Sequence, residues 1–551
     1  NALTYVVTTY FLLVGGIFAF KRSTEGIIPP DPSRVTPAYK LRDGIDYEPL
    51  DTPVALGHYF MSIAGASPII AAVLGMIWGW LPATVYLILA VTFLGTPNEY
   101  MHLLISMRNE AKSLGEVVQK KIGQLSGTYL SVILLFVSCL TYAVMMATMA
   151  ATMASIPTTG LPTLLLIPIA MGFGYLRRVL KMNLAIATVI ALAAWGISIW
   201  LGIAYPIKLS VQGWGISLGI YVCAASFLPV WLLLAPRDYL NSFILIVGLF
   251  LGSLALIVGG PKFVFPTFTS WTSPIRGSLY PAIIATIGCG AINGMHAIIS
   301  MGTTPKQVKS EKDAYWIVSI GTRGETVIAL LSIALVAAFY DYGGYGAEVV
   351  KNPGPVFSKS LGAALTYLGF SSGVGATIGG LTLTGFVITT IDSYVRAGRL
   401  VLGELTSRSN TIRWMGIPVV GSILVTGTGI LLMLYAPFGQ LWSGFSLIAI
   451  QLTMYGYILV YLTRLEEGKP LDSHFYRWVA VPGIFLVVTT ITGLGYFLVR
   501  YMSVGQWIPC VIIVILYAIT ILTLAQVYRR VCTLRASKKP TAETVEHPTA
   551  I

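Results

Sequence analysis

Apolar runs of about twenty residues, separated by short polar connections, recur along almost the whole chain. A run of that length crosses the hydrocarbon core of a bilayer as one helix. Fifteen such runs lie near 2–20, 55–79, 82–107, 128–154, 160–176, 184–203, 215–235, 239–259, 280–302, 315–340, 361–393, 412–434, 440–462, 478–499 and 506–528. The first has no basic segment before it and ends at Lys21-Arg22, so it reads as a retained helix rather than a cleaved leader. The longest stretch without such a run is about 21–53, and the next begins near 528. Neither is long enough to build an extramembrane catalytic domain. The pattern predicts an all-α polytopic membrane protein of about 15 transmembrane helices.

Charge sorts the connections into two sides. Of the 35 Lys and Arg residues, 29 fall in alternate connections and the C-terminal tail. Only Lys208, Lys262, Arg276, Lys351, Lys359 and Arg500 fall on the other side. By the positive-inside rule the N-terminus is outside, and the 21–53 loop and the tail are cytoplasmic. The same bias explains the net charge of +13 without a nucleic-acid partner. The chain is 56% hydrophobic and only 10% charged over 551 residues, against roughly a quarter charged in soluble domains. Its five cysteines have no CxxC spacing and four lie in apolar runs, which points to buried thiols rather than a zinc site or disulfide framework. Walker A, HExxH and Gly-x-Ser-x-Gly signatures are absent.

Two apolar runs contain strings unsuited to a continuous helix. One is Ser62-Ile63-Ala64-Gly65-Ala66-Ser67-Pro68, and the other is Ala224-Ala225-Ser226-Phe227-Leu228-Pro229, with Pro236 a further seven residues on. Proline removes a backbone donor and clashes one turn back, while small neighbours tolerate the freed backbone. An ordinary kink explains either string alone. The two runs are five spans apart, however, and the charge bias makes the first run outward and the second inward. Interrupted helices at equivalent places in two oppositely oriented five-helix halves are the pattern of inverted-repeat secondary transporters. The first break offers Ala64, Gly65, Ala66, Ser67 and Pro68 as substrate-binding positions, and the second offers Ser226, Phe227 and Pro229. Exposed half-helix N-termini favour a carboxylate.

Several strings are similar to blocks of one family. They include the loop from Asp31 to Tyr47, Gly57-His58-Tyr59-Phe60 with Ile63 to Pro68, Ser113-Leu114-Gly115-Glu116, and Phe227 to Tyr239. Cys289 to His296, Gly302 to Gln307, and Thr389-Thr390-Ile391-Asp392 extend the likeness. The chain resembles the carbon starvation CstA family over roughly 1–405. The resemblance implies bacterial inner-membrane uptake of peptides or of pyruvate with proton coupling, on the five-plus-five fold of the APC superfamily. Tyr59 stands where that family usually has a second His, Ser67 departs from its usual Gly-Ala-Gly-Pro, and Asn98-Glu99 replaces its His-Asp. The chain is also shorter than many members at its C-terminal end.

Polar groups at membrane depth are costly and are functional candidates. In the run 280–302, Cys289, Asn293, His296 and Ser300 form one helical stripe, and His296 suits a proton carrier. Asn98, Glu99 and His102 occupy the third run, with Glu99 and His102 spaced to share a proton or cation. A lone Glu-x-x-His does not make a di-iron site, so no metal or other cofactor is expected. Arg323 and Glu325, two apart, point to different faces, which leaves Glu325 for proton coupling or a bridge to another helix. His58 enters the first broken helix from the cytoplasm. Arg237, Asp238, Asp392 and Arg396 lie near cytoplasmic ends, as gates or as anchors. Tyr142 heads a face with Met145, Met146, Met149 and Met153, which lines the site or simply packs.

These readings divide the chain into a peripheral helix (1–20), a cytoplasmic loop (21–53), a ten-helix core (54–405), peripheral helices (406–528) and a cytoplasmic tail (529–551). The expected function is secondary transport of short peptides or a pyruvate-like carboxylate, coupled to H⁺ or Na⁺. The partners are that small molecule, the coupling cation and the lipid bilayer. An intramembrane metal-dependent enzyme and a nutrient receptor without transport are the alternatives.

Overall fold

The computed structural model describes residues 1–43, 47–226, 232–292, 294–407 and 409–536. In chain order its main helices are α1 (Ala2–Ala19), α2 (Thr52–Ile63), α3 (Ser67–Gly75), α4 (Trp80–Met107), α5 (Gln124–Ser155) and α6 (Pro157–Arg178). Next come α7 (Leu184–Ala204), α8 (Val211–Ala225), α9 (Leu234–Gly259), α10 (Leu279–Ile287), α11 (His296–Gly302) and α12 (Glu311–Phe339). The last six are α13 (Pro353–Leu365), α14 (Ser372–Thr406), α15 (Pro418–Tyr435), α16 (Phe438–Glu466), α17 (Ser473–Ser503) and α18 (Trp507–Ala536). Among the described residues, twelve helices are long and apolar enough to cross a membrane, and the bent pair α2–α3 makes a thirteenth span. The all-α polytopic architecture is therefore present. Of the expected spans, 215–235 and 280–302 are matched by neither a continuous long helix nor the bent pair.

The first interruption is where the sequence places it. α2 ends at Ile63, Ala64 leaves helical geometry, and α3 starts at Ser67 with a 51° change of direction. Pro68 has no N–H for a bond back to Ala64, and at the start of a new helix that lack costs nothing.

The second expected interruption is different. α8 stops at Ala225, and the next helix is the 26-residue α9 rather than a half-helix. Pro236 lies in the first turn of α9, where it is tolerated. Phe227 and Pro229 fall outside the described residues. A further break lies in 280–302: α10 ends at Ile287, Gly288–Gly290 forms a tight 3₁₀ turn, and α11 starts only at His296. Gly294 is required here by close packing, since a Cβ would collide with the Ala449 carbonyl oxygen. The expected continuous stripe therefore does not exist. Ser300 stays one turn from His296 on α11, Cys289 belongs to the turn, and Asn293 is outside the described residues.

The run 361–393 also divides. α13 ends in a turn at Gly369, whose φ of +85° suits glycine, and Ser371 caps α14 by accepting from Val374 N–H at 3.4 Å. α14 then runs to Thr406, so Asp392 is the twenty-first of its 35 residues rather than near a helix end.

The broken pair α2–α3, α4, the broken pair α10–α11, and α12 pack on one another, and α5 packs along α14 beside them. The two interruptions adjoin: a Cβ on Gly290 would sit 3.7 Å from Pro68 Cα. Gly95 of α4 allows the Ala291 carbonyl to approach its backbone so closely that no Cβ fits.

Outside the apolar spans, the 21–51 segment is strapped to the ends of these helices. Glu311 accepts from Arg108 Nε (3.1 Å) and Nη2 (2.7 Å) and from the Asp31 amide (2.7 Å). Leu50 N–H donates to Gln307 O at 2.9 Å, and Lys309 pairs with Asp51.

Candidate functional site

Four helices deliver ionisable side chains to one point beside the interruptions. His296, the first residue of α11, has Nδ1 2.7 Å from Glu99 Oε1 of α4 and Nε2 3.6 Å from Glu325 Oε1 of α12. Tyr59 of α2 donates its hydroxyl to the other Glu99 oxygen. All four side chains are at most 2% exposed. The Ile63 carbonyl, at the end of α2, also faces the imidazole. The cluster thus holds two carboxylates, an imidazole and a phenol with almost no access to solvent. Each proton gained or lost changes its buried charge by one unit, and buried charge is expensive. Tyr59 and Glu99, two positions where the chain departs from the family strings, touch each other.

His102 is not part of it. Although three residues from Glu99, it faces a different neighbour, and its Nδ1 lies 3.4 Å from Asn98 Nδ2. Both side chains pack on Gly456 of α16. The expected sharing between Glu99 and His102 is therefore corrected, because α4 is buried on two faces and the two residues serve different ones. Arg323 and Glu325 do stay apart. Arg323 donates to Ser319 Oγ (2.5 Å), Thr96 Oγ1 (3.1 Å) and the Gly16 carbonyl of α1 (3.2 Å). Among the described residues no group of three or more His, Cys, Asp and Glu is arranged to hold a metal ion.

A second charged cluster lies across the α2–α3 break. Arg237, in the first turn of α9, is fully buried and donates Nη1 to Asp392 of α14 and to Tyr221 OH (2.9 Å). Its Nη2 and Nε reach Asp238 Oδ1 at 2.8 and 3.3 Å, and Thr389 donates to the same oxygen at 2.9 Å. His58 is exposed and close enough to Asp238 to feel its charge, and Arg396 is similarly close to Asp392 and Asp238. Arg237 does sit near a helix end, in the first turn of α9, whereas the near-end placement of Asp392 is corrected: it is interior to α14. Hydropathy alone sets the α14 boundaries about a dozen residues early.

The break itself joins the clusters. On one side Ile63 faces His296; on the other, Gly65 lies so near α14 that a Cβ would come within 2.5 Å of Thr390 Oγ1. Ala64, Ala66, Ser67 and Pro68 are buried. Ser226 accepts from Arg399 through its carbonyl (3.1 Å) and spends its hydroxyl on Cys223 O (2.7 Å). Tyr142 is fully buried in α5 above Met145, Met146 and Met149, and its hydroxyl has no partner among the described residues. Tyr221 was not singled out from sequence, since nothing in its local spacing marks it, and Thr390 entered only through its place in the Thr389-to-Asp392 string. Tyr59 had a signal, its place in the Gly57-to-Phe60 string.

Residues 1–349 match the family model described as carbon starvation protein CstA. The pyruvate/proton symporter BtsT of Escherichia coli (strain K12) is 35% identical over 330 residues, covering 57% of this chain and 45% of that protein. The chain therefore spans under half the length of that relative. The peptide transporter CstA of the same organism is 28% identical over 569 residues, covering 89% of this chain and 80% of that protein. The peptide transporter CstA of Bacillus subtilis (strain 168) is 28% identical over 560 residues, with 91% of each chain covered. With its family blocks on the helix breaks and the buried histidine between them, the chain belongs to the carbon starvation protein CstA family.

Proposed function

We propose that the chain is an inner-membrane secondary transporter that takes up a small carboxylate, a pyruvate-like 2-oxo acid or a short peptide, driven by protons through alternating access. The observation that carries this reading is the contact of His296 with Glu99 and Glu325 where the two helix interruptions meet. Protonation at this point alters the charge balance between α2, α4, α11 and α12 at once. Substrate binding at the break alters the packing of the same helices, which gives the two events a common lever.

The repeat we favour pairs α2–α3 and α4 with α10–α11 and α12. Each half opens with an interrupted helix and continues as a long helix bearing a buried glutamate, Glu99 or Glu325. The distribution of basic residues makes α2 run outward and α10 inward, as an inverted repeat requires. In this reading 280–302, not 215–235, is the second broken helix of the inverted repeat. The names of the relatives, a pyruvate/proton symporter and peptide transporters, support the substrate classes.

The test is uptake by the purified chain in sealed proteoliposomes. Pyruvate or a dipeptide is expected to accumulate under an inward proton gradient and not under a sodium gradient alone. No accumulation of either under any ion gradient sinks the transporter reading, and sodium-only drive sinks the proton assignment.

A further inference from the structure

The Arg237 cluster is built unlike an ordinary structural ion pair. A buried pair that serves only stability has its oxygens satisfied, because an unpaired buried polar atom is costly. Here Arg237 spends its guanidinium on two carboxylates, yet Asp392 Oδ1 and the Tyr142 hydroxyl have no hydrogen-bond partner among the described residues. Both residues are at least 97% buried and lie within electrostatic reach of each other. Two unpaired oxygens of complementary capacity, a donor-capable phenol and a carboxylate, thus flank a cationic fork. The fork is also next to the moving part of the fold, since α14 carries Asp392 two residues from the Thr390 that packs on Gly65 of the break.

We propose that Arg237 is the seat for the substrate's carboxylate, and that the side chain of Asp392 occupies this seat in the conformation seen here. The inference rests on the transporter reading above and names the chemistry of its substrate end. A guanidinium binds a carboxylate through two parallel N–H bonds, whatever molecule carries the carboxylate. The incoming group replaces Asp392, whose charge is then met by Arg396, one turn along α14 and already within its electrostatic reach. Tyr142 donates to a second substrate oxygen, the 2-oxo group or a peptide carbonyl. The approach passes Asp238, which is 27% exposed, and the exposed His58 beside it. Both stand on the side to which the basic residues assign the cytoplasm, so the structure has the geometry of a seat closed by its own carboxylate.

The experiment uses the full chain in proteoliposomes under a fixed proton gradient. Uptake of labelled pyruvate and of labelled dialanine is measured with two competitors, pyruvate and its uncharged amide. The wild type is expected to be inhibited by pyruvate and not by the amide. D392N opens the seat, so the KM for carboxylates falls by about tenfold, the worth of one charge-assisted hydrogen bond. R237Q raises KM by roughly tenfold to a hundredfold and makes pyruvate and its amide equivalent as competitors, while R237K keeps part of the preference. The reversed pair R237D/D392R stays unable to discriminate.

Wild-type KM in the reversed pair overturns the proposal, because it marks a structural latch. So does an unchanged or raised KM in D392N, a variant that keeps the shape of the side chain. If R237Q still prefers pyruvate to the amide, the seat is elsewhere and the transporter reading survives. A wild type that accumulates no substrate overturns both. Labelled pyruvate and dialanine distinguish the two sources of the carboxylate.

Discussion

Removing Glu311 tests how the acid-bearing helices are held together. Glu311 is buried at the start of α12 and accepts two hydrogen bonds from Arg108, at the end of α4, and one from the Asp31 amide. Burial opposes the Arg108 charge, but the Glu311 hydrogen bonds outweigh it and hold the guanidinium pKa above its ordinary value. In E311A the Arg108 side chain, 15% exposed, retains the Pro29 carbonyl at 2.7 Å but has no other carboxylate within ion-pair distance among the described residues. Removing one partner of a buried pair costs about 3–5 kcal/mol. Arg108 keeps some access to water, and the 3.6 Å contact with the half-exposed Arg34 adds little, so the lower end, about 3 kcal/mol, applies. Deleting both partners leaves no orphan charge. R108A/E311A is therefore expected to cost at least about 2 kcal/mol less than the sum of the single changes. A chain of this size does not unfold in two states, so the assay is the rate of irreversible unfolding in one detergent at one temperature. A loss of about 3 kcal/mol corresponds to roughly a hundredfold shorter half-life if the strap opens before the barrier. Additive single changes, or an E311A half-life within about twofold of the wild type, would refute the reasoning.

The same geometry sets three further outcomes. With one proton carried per substrate, a gradient of one pH unit drives about tenfold accumulation of a neutral transported complex, since one unit is 1.36 kcal/mol. E325Q and E99Q are expected to lose that accumulation and its pH dependence while still exchanging labelled for unlabelled substrate; unchanged pH profiles in both remove the cluster from coupling. G65V drives side-chain atoms into Thr390 and is expected to cost about 1–3 kcal/mol and to abolish uptake, with partial recovery in G65V/T390A. Recovery that fails while both variants remain folded would show that the break needs glycine for another reason. R323M should change stability by less than about 1 kcal/mol, because among the described residues Arg323 faces no carboxylate and Thr96 keeps its bond to Thr322 at 2.8 Å; an irreversible-unfolding rate within about fivefold of the wild type in the same detergent checks this.

The readable part of this protein was what neighbours in sequence decide. Apolar runs measured against bilayer thickness marked thirteen of the spans, and proline after small residues marked the break at Ala64–Pro68. Scarcity of charge in those runs picked out Glu99, His296, Glu325, Arg237 and Asp392. Hydropathy is an average over a window, however, and cannot see where a helix stops inside an apolar stretch. That is why Gly288 to Gly294 passed as helix, and why α14 appeared to begin inside α13.

Which of the scarce charges meet was decided only by tertiary structure. Glu99 and His102 are close on one helix, but α4 is covered on two sides, so one turns to His296 and the other to Gly456. Asp392 finds Arg237 across 155 residues because α9 and α14 pack side by side. A side chain's partner depends on the rotation and crossing of whole helices, which are set by packing over their full length. The sequence determined what had to be buried; only the packing decided which buried charge would answer which.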